Sequence, residues 1–224
     1  MRCLLVVPWI LACGSPTPSP AQPPDRPTTP TTPADPIAAP SATPSQPWPT
    51  PAGFRSETIP FPLDFAPQLA HRGVEELRFA PGFFDPAAPG YWSYAFVWRT
   101  EDPAALDAAA VGAELTAYFR GLIAAVDEAG QITNKDSIVA IVARGTAAGA
   151  RVTVTAHVFD AFKTKLPLDL VGWAERRACG GGALWRFVLA PAASSQRPAL
   201  DALAAEATCD QPLPPPPPSP PSGR

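Results

Sequence analysis

From residue 59 the chain alternates between two kinds of position. Ile59, Phe61, Leu63 and Phe65 are apolar at every second place, a period that predicts a strand with one buried face. Pro60 and Pro62 fall on the other register and cannot donate to a ladder, so this strand belongs at a sheet edge or serves as an extended lead-in. A weaker strand is expected over 75–80, followed by turns at Pro81-Gly82, Asp85-Pro86 and Pro89-Gly90. The strongest strand is expected over 91–99, with Trp92, Tyr94, Phe96 and Trp98 on one face and Ser93, Ala95, Val97 and Arg99 on the other.

The period then changes. Val111, Leu115, Tyr118, Phe119, Leu122 and Val126 follow the spacing of a buried helical stripe. Asp102 suits the N-cap, Pro103 the first helical position and Gly130 the stop. Strands are expected over 137–144, 151–159, 168–177 and 183–189. The first two are joined by a turn around Gly145 and Gly149, the last two by Cys179 and the glycines Gly180, Gly181 and Gly182. A short helix over 198–207 closes the pattern. This order reads as α+β: a mostly antiparallel sheet packed against one long helix, with a short C-terminal helix. The stripe of the long helix should meet the alternating aromatics.

Composition sets the borders. Of 33 prolines, only ten lie in the 156 residues from 54 to 209, enough chain for one sizeable core. The stretches 13–53 and 210–224 are too rich in proline and too poor in apolar residues to fold, and are expected to be disordered. Short Pro-Thr units favour polyproline II, a semi-rigid spacer. The formal net charge of −3, with no basic stripe, argues against nucleic acid as a partner. No run of about 20 apolar residues occurs to span a bilayer.

The N-terminus carries Arg2, an apolar run and then Cys13, the proportions of a secretory signal over 1–12. The segment Ile10-Leu11-Ala12-Cys13 resembles a bacterial lipobox, with Ile10 and Ala12 in the branched and small places that the family uses. The resemblance implies cleavage before Cys13 and lipid attachment there. Several acyl chains, at roughly 0.8 kcal/mol per buried methylene, would hold such a protein on a membrane surface. Gly14, where an aspartate would favour inner-membrane retention, implies the outer membrane of a Gram-negative envelope.

With Cys3 leaving in the signal and Cys13 lipidated, Cys179 and Cys209 remain. Two such thiols in an exported chain are expected to pair, closing a loop of about 30 residues. No Cys-x-x-Cys spacing supports a metal pair, and His71 and His157 are far away in sequence.

Candidate chemistry is sparse. No nucleophile elbow, zinc-protease helix, phosphate loop or dinucleotide fingerprint is present, so no catalytic residue, metal site or cofactor is expected. Glu75 and Glu76 are neighbours on a strand and point to opposite faces, which rules them out as a carboxylate pair. His157 is expected to face solvent with Arg151, Thr153 and Thr155. The ligand-contact candidates are Tyr91, which should look away from the core if its neighbour Trp92 faces it; Asp160, Lys163 and Lys165 on a strand-end loop that carries two of the three lysines; and His71 with Arg72 after the first strand.

The function expected from these features is an envelope lipoprotein whose tethered domain is a binding or structural module. Its partners would be the membrane, through its lipid, and an envelope protein or glycan. The alternatives are a hydrolase of an envelope glycan or peptide, with Asp64, Asp85 and Asp160 converging in an aromatic cleft, and a subunit of an oligomeric assembly.

Overall fold

The computed structural model describes residues 46–101, 108–143 and 151–212. The expected helix entry at Asp102 and Pro103, the turn at Gly145 and Gly149, Cys13 with its leader, the linker up to residue 45 and the tail from residue 213 lie outside the described residues.

The order of elements is β1 (Arg55–Phe61), β2 (Gly73–Phe79), β3 (Tyr94–Thr100), α1 (Ala108–Val126), a 3₁₀ turn (Lys135–Ser137), β4 (Val139–Ala143), β5 (Arg151–Phe159), β6 (Pro167–Cys179), β7 (Gly182–Ala190) and α2 (Arg197–Ala205). All seven strands form one sheet, β1-β2-β3-β7-β6-β5-β4, and every pairing is antiparallel. The fold is the expected α+β arrangement. Two meanders are joined at the centre by β3 and β7, so α1 must carry the chain from the middle of the sheet to its far edge at β4. It does so across one face, lying over β4 and β5.

That face is apolar in rows. Leu77, Phe96, Phe187 and Ala174 are consecutive cross-strand neighbours, and Phe96 stacks on Phe187 with centroids 4.4 Å apart. Val111, Leu115, Tyr118 and Phe119 of α1 are buried against it, and Tyr118 stacks over Phe96 as the stripe predicts. By length and composition α1 could cross a membrane; its buried stripe makes it the core helix instead. Gly121 lets the loop after β1 press onto the helix, since a Cβ there would lie 2.0 Å from the Phe65 carbonyl oxygen.

The opposite face is covered by α2 and by Trp48, which is buried with Leu200 and Leu203. Trp48 donates its indole N–H to the Leu203 carbonyl at 2.9 Å and lies under the Arg78 guanidinium, 4.3 Å from it. It is part of the packed domain although it precedes the expected boundary at residue 53. A polar layer completes this side: Glu76 accepts from Arg99 at 2.7 Å, and Arg99 also donates to the Thr208 carbonyl. Cys179 and Cys209 form a disulfide next to that anchor.

Three expectations need adjustment. The first strand stops at Phe61; Leu63 is buried beyond it in a loop. The third strand starts at Tyr94, because Trp92 has a φ of 47° and turns the chain. The long helix ends at Val126, ahead of Gly130, where Asp127 takes the N–H groups of Gln131 and Ile132. The glycine run does make a tight hairpin, with Cys179 opposite Gly182. The edge position of β1 is as its prolines require.

Candidate functional site

The ligand-contact candidates from the sequence separate into two groups at opposite ends of β3. At the Tyr94 end, Asp160 is buried and receives five hydrogen bonds. Trp92 Nε1 and the backbone N–H groups of Phe162 and Lys163 reach Oδ1. The Tyr91 hydroxyl (2.7 Å) and the Thr164 N–H reach Oδ2. Burial opposes its charge, but the bonds from Thr164, Tyr91, Trp92 and Lys163 prevail and hold the carboxyl well below its usual range. Asp160 is therefore a fastener for its loop, not an open ligand contact. Tyr91 and Trp92 both bond this carboxylate, and the half-buried Tyr91 also lines a shallow surface groove with Pro89 and Ser194. Lys165 donates to the Ala161 carbonyl, and Lys163 is exposed.

At the other end, His71 lies 3.0 Å from Glu114 of α1 and packs edge-on to Phe61. Arg72 is exposed. His157 faces solvent as expected, beside Asp169. Asp64 and Asp85 are exposed, and neither they nor Asp160 line the cavity described next. Among the described residues no group of three His, Cys, Asp or Glu side chains could hold a metal ion.

The sequence reading missed an apolar hollow on the helix-covered face of the sheet. Because the α1 backbone packs on β4 and β5, the β1–β3 half is covered by side chains from the middle and end of the helix and from loops. A cavity of about 220 Å³ is left there. Its walls are Ile59, Leu77 and Phe79 from the strands and Phe65, Phe83, Trp92 and Phe162 from loops. Tyr94, Tyr118, Leu122 and Val126 complete them. Glu57 and Ala125, both exposed, mark the mouth between the edge strand and the helix. Asp160 holds two of the wall residues in place, Trp92 through its indole and Phe162 through its backbone N–H.

One corner is polar. Glu57 stands opposite Leu77 and Ile59 opposite Glu75, which makes Glu57 and Glu75 diagonal neighbours on the cavity face. Glu75 is fully buried. Trp98 donates to its Oε1 at 2.9 Å, and Oε2 has no hydrogen-bond partner among the described residues. Burial raises its pKa to about 8 against the opposing hydrogen bond from Trp98 and the nearby Tyr118 hydroxyl, and the neighbouring Glu57 adds to the rise. Glu75 is thus a neutral acid at neutral pH. Burial, and then the charge of Glu75, push the Tyr94 and Tyr118 hydroxyls well above their ordinary pKa. A signal for Glu75 was present in the sequence: it shares its register with Leu77 and Phe79, which marks the core face.

No family model matches the chain, and no curated protein matches it. Among solved structures, protein Ms6760 from Mycobacterium smegmatis is similar at 14% identity, over 51% of this chain and 84% of that one, with a TM-score of 0.18. A score that low carries no argument.

Proposed function

We propose that this chain is an envelope-tethered binding module that holds a small, compact apolar ligand between α1 and the β1–β3 half of the sheet. The observation that carries this reading is the 220 Å³ cavity, walled by aromatic rings and opening beside Ala125. A cavity of about 150 Å³ accepts benzene, whereas drug-sized sites run to roughly 300–1,000 Å³. One substituted ring or a short branched chain suits the space, and a whole lipid does not. The anchor is the one that the lipobox resemblance implies at Cys13, with the Pro/Thr-rich stretch as its spacer. The Cys179–Cys209 disulfide supports export to an oxidising compartment.

The test is thermal unfolding of the full chain with a neutral ring compound such as toluene. A ligand that binds only the folded state raises the midpoint in proportion to the logarithm of its concentration. The rise should appear in the wild type and vanish in Ala125→Trp, which places an indole in the mouth. Equal behaviour of the two proteins, with no rise, would reject the reading.

A further inference from the structure

The cavity has a charge preference built into its lining, and this inference rests on the binding reading above. Among the described residues its walls include seven aromatic side chains, one carboxylate (Glu57) and no basic side chain. Aromatic faces attract cations through their quadrupole and attract anions not at all, most strongly where water is excluded. Outside the lining, Arg55, two residues from Glu57 on the same strand face, already places its guanidinium over Phe84, 5.0 Å from the ring centre.

Burial first, and then the charge of Glu57 beside it, keep the proton on Glu75. The groups that face Glu75 are Glu57 from β1, Tyr94 and Trp98 from β3 and Tyr118 from α1, and none of them is basic. Lys163 and Lys165 follow Phe162 in sequence but do not enter the walls. An anion in this cavity would be desolvated without a donor of opposite charge.

We propose that the natural ligand is a compact organic cation, an alkyl- or arylammonium whose apolar body fills the aromatic walls while its charged head sits at Glu57.

The experiment is calorimetric titration of the full chain with phenyltrimethylammonium and with its uncharged isostere tert-butylbenzene. The cation should bind about tenfold more tightly or better, as expected for a desolvated cation–π site with a carboxylate at its rim. Glu57→Gln, a change on an exposed edge strand, should cut that preference severalfold. Equal or tighter binding of the neutral isostere by the wild type would overturn the cation assignment while leaving the cavity reading intact. Binding of neither compound would overturn both.

Discussion

Trp98 donates its indole N–H to Glu75 Oε1 at 2.9 Å across the β2–β3 pair, while Oε2 of the same carboxyl is buried with no hydrogen-bond partner among the described residues. An acid held in this way favours its protonated form. Between its ordinary 4.5 and about 8 the folded protein keeps a proton that the unfolded chain has released. Stability therefore falls as the pH rises through that window and levels off above it. Glu75→Gln, which keeps an acceptor for Trp98 and cannot ionise, should remove this decline. Urea unfolding at pH 5 and pH 8 checks it: the variant should gain on the wild type by a few kcal/mol, to order of magnitude, at the higher pH. A constant difference at both pH values would contradict the neutral-acid assignment.

Asp160 has the opposite sign. Its pKa is held below the ordinary 3.8, so its contribution is complete above that value and is lost as the pH falls below it. Asp160→Ala leaves five donors without their acceptor. It should cost about 3–5 kcal/mol at pH 7, the range for a broken buried polar network. The cost should shrink at pH 3, measured by denaturant unfolding. The same variant should weaken ligand binding, since Trp92 and Phe162 lose their fastener.

These residues show where sequence reasoning stops. The alternation of Tyr94, Phe96 and Trp98 and the stripe of α1 were legible because burial on one face imposes a period on a strand or a helix. The edge position of β1 was legible because proline has no N–H to donate. The cavity was not legible, because it depends on which half of the sheet α1 covers, and strand order follows from no local pattern. The start of β3 was misplaced for a related reason: a single positive φ at Trp92 ends the alternation on which facing arguments rest. Glu75 and Glu76 were correctly placed on opposite faces, but a strand buried on both sides hides both acids.

Trp48 ties the end of the proline-rich stretch to α2. Trp48→Ala removes its hydrogen bond to Leu203 and its packing under Arg78, and should cost about 3–5 kcal/mol. Chemical denaturation of the full chain measures it, and a change under about 1 kcal/mol would show that the stretch is not part of the cooperative domain.

The proposed anchor and the disulfide share one assay, the intact mass of protein taken from its own membrane before and after reduction. The mass should match a chain starting at Cys13 with acyl groups, and it should rise by two hydrogens on reduction. Loss of the Cys179–Cys209 bridge should lower stability by roughly 3–4 kcal/mol on the chain-entropy account. An unlipidated mass would remove the anchor from the account.

The space between α1 and the β1–β3 half of the sheet is the proposed ligand site. Native mass spectrometry of wild-type protein and Ala125→Trp, purified side by side from the producing cells, tests it most directly. The wild type should carry a small non-covalent adduct, cationic in its released form, and the variant none. The same bare mass for both, unchanged when phenyltrimethylammonium is added, would contradict it.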